Sequence, residues 1–191
     1  MKNWKKDIFN IPNILSLVRL ALIPVYMYIY LNANESRDYW IAGLILALSC
    51  LTDMVDGKIA RHFNMITPLG KLLDPVADKF TQLVLTICLS LKYPVMRPVL
   101  ILFLVKEFFQ FFALLNSYRK GKVLTGALMA GKVCTTVLFS SLTLLVLIPD
   151  INPQIVHLFA VIDSVCILVA FVSYGFAFFG KNPKLEDIEK A

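Results

Sequence analysis

The residues most able to do chemistry lie between Asp53 and Asp78. The stretch Asp53-x2-Asp56-Gly57-x2-Ala60-Arg61 is followed, after eight residues, by Gly70-x3-Asp74-x3-Asp78. Four of the chain's thirteen acidic residues fall in this window. On a helix, Asp53, Asp56, Gly57 and Ala60 stand at i, i+3, i+4 and i+7, which is one face; Gly70, Asp74, Ala77 and Asp78 stand at i, i+4, i+7 and i+8, again one face. Facing each other, two such surfaces would make a four-carboxylate pocket with small residues leaving space in front of it. Four carboxylates cannot all stay ionised at close range without counter-charge. Hard divalent cations supply it, and carboxylate oxygen is the ligand that Mg²⁺, Mn²⁺ and Ca²⁺ prefer. The pocket contains neither histidine nor cysteine, which disfavours zinc. Two cations held by shared carboxylates would suit phosphoryl chemistry, clamping a phosphate and activating an attacking oxygen. Gly57 and Ala60 also have a purely structural reading, since small residues four apart let membrane helices pack closely.

The elements that must position these residues are apolar helices. The chain has 191 residues, 58% of them hydrophobic and 17% charged, with mean hydropathy +0.72. A soluble domain has roughly 45–50% apolar and about 25% charged residues, so the composition excludes a disordered chain and a disulfide scaffold and points to an all-α membrane protein. Six apolar segments are marked near Ile14–Leu31, Trp40–Val55, Pro75–Leu91, Pro98–Leu115, Leu124–Ile148 and Ile155–Phe179. Each approaches the about 20 residues that a span needs, so six transmembrane helices with short connections are expected, as a single domain over residues 1–191 with a polar tail at 181–191. The first run follows Lys2, Lys5 and Lys6 as a signal peptide would, but it is too long for a signal core and no A-x-A-like site follows; it reads as a first span. Thr67-Pro68 reads as a helix start, with Pro75 then inside that helix, or the helix begins afresh at Asp74-Pro75.

Basic residues set the orientation. An even number of spans places both termini on one side, and that side collects Lys2, Lys5, Lys6, Lys58, Arg61, Lys71, Lys79, Arg119, Lys120, Lys122, Lys181, Lys184 and Lys190, against Arg37, Lys92 and Arg97 on the other. Both termini and the aspartate window are therefore expected at the cytoplasmic face of the cell membrane. The net charge of +6 fits basic loops on anionic lipid. The basic residues form no contiguous stripe of the kind nucleic-acid binders carry, so nucleic acid is not an expected partner. Cys50, Cys88, Cys134 and Cys166 have no metal spacing and read as small apolar residues. Tyr26, Tyr28, Tyr30, Tyr39 and Trp40 suit an interfacial aromatic belt. The phenylalanines of Phe103–Phe112 read as lipid-facing or packing surface, and His157 as a hydrogen-bonded core residue.

The spaced motif from Asp53 to Asp78 resembles the signature of the CDP-alcohol phosphotransferase (phosphatidyltransferase) family at all eight of its fixed positions. The opening Asn10–Arg19, the run Gly70–Lys79 and the segment Gly121-Lys122-Val123-x-Thr125-x3-Met129 resemble two branches of it, the phosphatidylglycerophosphate synthases and the CMP-forming cardiolipin synthases. The resemblance implies a homodimeric, integral-membrane transferase. It would move the phosphatidyl group of CDP-diacylglycerol to a hydroxyl acceptor, foremost glycerol 3-phosphate, with CMP leaving. It also implies site residues. Asp53, Asp56, Asp74 and Asp78 would hold two Mg²⁺ or Mn²⁺ ions, and Asp78 would also take the proton of the attacking hydroxyl. Gly57, Ala60, Arg61 and Gly70 would shape the CDP site.

The motif leaves the acceptor open. A phosphorylated acceptor needs further cations, and Arg19, Lys106, Arg119, Lys122 and Lys132 lie in or near spans. For Lys106 and Lys132 the structural reading is an ion pair, with Glu107 and Asp163 respectively, or snorkelling. Lys106-Glu107 stands where the phosphatidylglycerophosphate branch often has Arg-Glu; lysine keeps the charge and loses bidentate phosphate geometry. Other acceptors of the family, serine or an inositol phosphate, are the next readings. Asn13 reads as a cap of the first helix or as a substrate contact. A cation transporter would spread polar groups along several spans, whereas here they gather near one face; a catalytically silent scaffold would not need all four aspartates.

Overall fold

The computed structural model describes residues 11–62, 70–124, 128–148, 150–179 and 185–187, with side chains for 13–52, 73–121, 128–148 and 150–179. Six long helices follow one another: α1 (Ile11–Leu31), α2 (Ser36–His62), α3 (Gly70–Lys92), α4 (Arg97–Arg119), α5 (Met129–Leu147) and α6 (Pro153–Phe179). A 3₁₀ turn, Pro94–Met96, joins α3 to α4. The expectation of an all-helical chain holds apart from one short ribbon, in which β1 (Lys122–Leu124) pairs antiparallel with β2 (Leu185–Asp187), Lys122 opposite Asp187 and Leu124 opposite Leu185. The segment expected as a span from Leu124 is therefore shorter: Leu124 is in the ribbon and the helix begins at Met129. Thr67-Pro68 and most of the polar tail lie outside the described residues.

Among the described residues, four stretches are long and apolar enough to cross a membrane: Asn13–Leu31, Pro94–Arg119, Met129–Leu147 and Pro153–Phe179. Large apolar side chains such as Leu44, Ile101, Phe111, Val161 and Phe176 point outward, far more than a water-facing surface tolerates. The chain is a multi-pass membrane protein. Helices α2 and α3 fall outside those four stretches and carry the motif aspartates. At 27 and 23 residues they are nonetheless longer than the about 20 residues a span requires. Pro75 lies inside α3, so of the two starts left open by the sequence, the helix does not begin afresh at Asp74.

The chain forms two compact units. The first comprises residues 1–89 and 143–150 and contains α1, α2, most of α3 and the end of α5. One stripe of α1 is buried: Asn13, Ser16, Arg19, Ile23, Tyr26 and Tyr30, at helical steps of three and four. It is polar for its first half and apolar for its second. The apolar half meets α2 and α3 around a cleft lined by Ile23, Tyr26, Leu46, Ser49, Thr81 and Leu85. This corrects the aromatic belt: Tyr26 and Tyr30 are on the buried stripe, with Tyr30 edge-on to Tyr39 at 5.2 Å, while Tyr28 and Trp40 face outward. Between membrane helices, lipid removes the hydrophobic driving force, and close packing of small residues replaces it. Ala42 and Ala77 are fully buried accordingly, and Gly43 lies against the Leu147 side chain.

The second unit comprises residues 90–142 and 151–191. The buried stripe of α6, Val156, Ala160, Asp163, Ile167, Ala170, Tyr174 and Ala177, alternates steps of four and three, the seam of a helix packed along its length. Phe109 of α4 packs against Phe171 and Phe179 with tilted rings, their centroids 4.8 and 6.1 Å away. Phe103 is buried while Phe108, Phe111 and Phe112 face outward, so both readings of the phenylalanine run apply. His157 is exposed, which overturns its reading as a core residue: the step from Val156 turns it off the buried stripe. Helix α4 ends in a turn at Gly121, whose φ of 69° suits glycine. Several hydroxyls, including Thr81, Thr86, Thr135, Ser164 and Ser173, donate to the carbonyl four residues back in their own helix.

Gly131 of α5 is a close contact with Tyr174. A Cβ there would meet the tyrosine hydroxyl first, then the ring at 3.0 Å. Gly131→Ala is expected to cost about 1–3 kcal/mol, the scale of overpacking, and Gly131→Ala with Tyr174→Phe to recover part of it. Thermal melting of the purified proteins followed by circular dichroism checks this; an equal loss in the single and double variants would count against the contact.

Candidate active site

The site is built from the polar half of the α1 stripe and the first turns of α3. Asp74 and Asp78 are one turn apart on α3, so both carboxylates leave the same face. Ser16 Oγ donates to Asp74 Oδ1 at 2.7 Å. Arg19 Nη1 donates to Asp78 Oδ1 at 3.1 Å, an ion pair in which the arginine side chain is 3% exposed and the aspartate 53%. Ser16 and Arg19 are themselves spaced i, i+3, so two donors on one helix meet two acceptors on the other in register. Asn13 continues the stripe one step earlier and is 1% exposed. It lies inside α1, which begins at Ile11, so it is not that helix's cap.

Helix α2 is continuous through Asp53, Asp56, Gly57, Ala60 and Arg61, which gives these residues the helical register that places the first four on one face. Their side chains, and that of Gly70's neighbour Lys71, lie outside the described ones. The structure thus brings together Asp74, Asp78, Ser16 and Arg19, and carries the other half of the motif on α2, which packs against α1.

The donor set fits a hard cation. Ser16 engages one oxygen of Asp74, and Oδ2 of that carboxylate makes no hydrogen bond among the described residues. A carboxylate fixed through one oxygen presents the other at a defined angle, as metal ligands held by outer hydrogen bonds do. Since Asp78 is half exposed, water screens its pair with Arg19, and such pairs are worth little as stability. Their effect is orientation: Arg19 holds the Asp78 carboxylate against α1.

The remaining cations are in different settings. Lys106 is buried and pairs with Glu107, as expected, with its Nζ 5.8 Å from the Phe103 ring centroid. Lys132 is exposed on α5 and Asp163 is not its partner. Asp163 is fully buried, with Ser141 Oγ 2.8 and 2.6 Å from its two oxygens. The expected Lys132–Asp163 pair fails because the two residues lie on an outward and an inward face. Arg119 is exposed at the end of α4, and Lys122 is on β1 with its side chain outside the described ones.

A family model for the CDP-alcohol phosphatidyltransferases matches residues 9–174, from before α1 into the last turns of α6. The chain belongs to the CDP-alcohol phosphatidyltransferase family. Among curated relatives, it is 47% identical over 75 residues to a protein of Streptomyces coelicolor named cardiolipin synthase (CMP-forming), covering 38% of this chain and 34% of that one. It is 38% identical over 100 residues to the CDP-diacylglycerol--glycerol-3-phosphate 3-phosphatidyltransferase of Rickettsia typhi, covering 52% and 55%, and 39% identical to that of Rickettsia bellii, covering 52% and 54%. The chain spans about a third to just over half the length of these relatives.

Within a CDP-alcohol phosphatidyltransferase chain, the α1 stripe is what sequence reading missed. The sequence offers Arg19 as a cation for an acceptor phosphate and assigns Ser16 no role of its own. The signal was present: Asn13, Ser16 and Arg19 repeat every three residues in an otherwise apolar helix, where unsatisfied polar groups are costly. A double-mutant cycle of Ser16→Ala with Asp74→Ala, read by thermal unfolding in detergent, is expected to show coupling of about 0.5–1.5 kcal/mol. Ser16→Ala with Asp38→Asn, at the far end of α2, should show none. Additive Ser16 and Asp74 effects would remove the hydrogen bond from the account.

Proposed function

We propose that the chain is an integral-membrane phospholipid synthase that transfers the phosphatidyl group of CDP-diacylglycerol to the hydroxyl of glycerol 3-phosphate. The observation that carries the reading is the α1–α3 contact: in a chain of this family, the two aspartates of the second half-motif are each oriented by a buried polar residue of α1. The family match runs through both compact units, which supports a single membrane domain over residues 1–191. The reading takes α2 and α3 as the second and third of six spans, with both termini and the site on the cytoplasmic side of the cell membrane, and a second copy of the chain as partner.

In this reading the acceptor oxygen attacks the phosphorus on the lipid side of the diphosphate. The new P–O bond forms as the bond to the CMP phosphate breaks, and CMP leaves with that bond's electron pair. Asp78 takes the hydroxyl proton, and Arg19 keeps its carboxylate turned toward the site. Gly57, Ala60 and Gly70 leave room for the cytidine and diphosphate, and Arg61 supplies a cation to the diphosphate. Asp53, Asp56, Asp74 and Asp78 would hold two Mg²⁺ or Mn²⁺ ions, which when bound neutralise phosphate charge. For the acceptor's own phosphate, Lys106, Lys122 and Lys132 remain the candidates, with Arg19 engaged on Asp78 and Arg119 considered below.

CMP-forming cardiolipin synthesis, with phosphatidylglycerol as acceptor, is the second reading. It is favoured by the 47% identity to the Streptomyces protein and by Lys106 in place of arginine. CMP release by purified protein with CDP-diacylglycerol and Mg²⁺ tests both readings, with glycerol 3-phosphate, phosphatidylglycerol, serine or inositol 1-phosphate added separately. The expected result is release that depends on glycerol 3-phosphate and falls by at least about 10²-fold in Asp78→Asn, the scale of a lost general base. Release with another acceptor would replace the acceptor and keep the mechanism. Metal binding without release for any acceptor would overturn these substrates and leave a different CDP-alcohol, or a non-catalytic role, as the next reading.

A further inference from the structure

The second compact unit carries a groove of about 480 Å³ along the last three turns of α4, within the roughly 300–1,000 Å³ of small-molecule sites. Phe109, Phe112, Ala113 and Asn116 line it at i, i+3, i+4 and i+7, with Arg119 at one end and Phe179, the last residue of α6, beside them. Its two ends differ chemically. The Phe109 end is aromatic and continuous with the lipid-facing side of the helix, where Phe108, Phe111 and Phe112 are exposed. The other end presents the Asn116 amide and the Arg119 guanidinium, both exposed. Among the described residues, Arg119 makes no ion pair or side-chain hydrogen bond.

The helix terminus does not cancel this charge. Lys120 N–H donates to the carbonyls of Asn116 and Ser117, at 3.2 and 3.0 Å, and Gly121 N–H to that of Tyr118 at 3.0 Å, so the negative end of the helix is capped. Depth agrees. Arg97 and Arg119 bracket α4, a separation of about 33 Å at 1.5 Å per residue, close to the ~30 Å hydrocarbon core. Arg119 thus lies at headgroup level, and Phe109, ten residues earlier, about 15 Å deeper.

We propose that this groove binds one anionic phospholipid of the bilayer, its phosphate on Arg119 and Asn116 and an acyl chain along Phe112, Ala113 and Phe109. The site is built wholly from α4 and α6 and uses none of the motif aspartates. Arg119 thereby reads a lipid phosphate rather than that of a soluble acceptor.

The test is native mass spectrometry of the full chain in neutral detergent, incubated with equal amounts of phosphatidylglycerol and phosphatidylcholine. It is run in Asp78→Asn protein with EDTA, so that retention at the aspartate site does not contribute and the result is independent of CMP release. One phosphatidylglycerol should be retained in preference to phosphatidylcholine. Arg119→Gln should reduce that preference about tenfold, the scale of one charge-assisted hydrogen bond. Phe112→Asn, on an exposed position, should weaken retention of both lipids, and Arg97→Gln at the other end of α4 should change nothing. Equal retention of the two lipids, no retention, or an unchanged preference in Arg119→Gln would overturn the proposal. So would a Phe112→Asn protein that shifts from dimer to monomer with lipid retention intact, since a second copy would then cover the groove. An Arg119→Gln enzyme, with Asp78 intact, that loses only affinity for glycerol 3-phosphate would assign Arg119 to the acceptor instead.

Discussion

The structure depends on how α1 changes character along a single buried stripe. A helix in lipid satisfies its own backbone, but a polar side chain it buries is costly without a partner. In α1 the upper half of the stripe, Ile23, Tyr26 and Tyr30, packs as ordinary helix interface. The lower half, Ser16 and Arg19, meets Asp74 and Asp78 of α3. The same contact serves both helices. It lets α1 bury an arginine, and it fixes carboxylates that would otherwise rotate in a polar opening. The polar pairing and the apolar cleft follow one another along the same buried stripe of α1.

The second unit solves a related problem differently. Lys106, Glu107, Asp163 and Ser141 bring polarity into apolar helices, and they are satisfied by neighbours in sequence or on the next helix. Small residues then allow the approach that lipid does not drive. Gly131 against Tyr174 is the tightest example.

Much of this was legible in the sequence. The six helices were readable because their apolar runs are long and bounded by charge, proline or glycine, and the aspartate motif because its spacing is helical. Lys106–Glu107 was readable because the partner is adjacent. What failed needed knowledge of the third dimension. Tyr26 and Tyr28 look alike in a list of interfacial aromatics, yet they differ by more than half a helical turn, so one is buried and the other meets lipid. His157 is one residue off the α6 stripe. Asp163 and Lys132 have opposite charges but opposite faces. The β1–β2 ribbon joins segments more than sixty residues apart with only three residues each, too short for any period to declare itself.

The back-bonded hydroxyls also change how the chain's polarity should be counted. Thr81, Thr86, Thr135, Ser164 and Ser173 each return their hydrogen to the carbonyl one turn earlier, so neighbouring helices and lipid meet the threonine methyl groups, the serine methylenes and an oxygen whose hydrogen is already committed. These residues raise the apparent polarity of the sequence without raising the polarity of the surfaces they occupy. Their hydrogens are not available to a neighbouring helix, and a carbonyl that accepts two hydrogens favours a slight bend in its own helix. The bends these bonds favour fall at residues that hydropathy scores as merely less greasy.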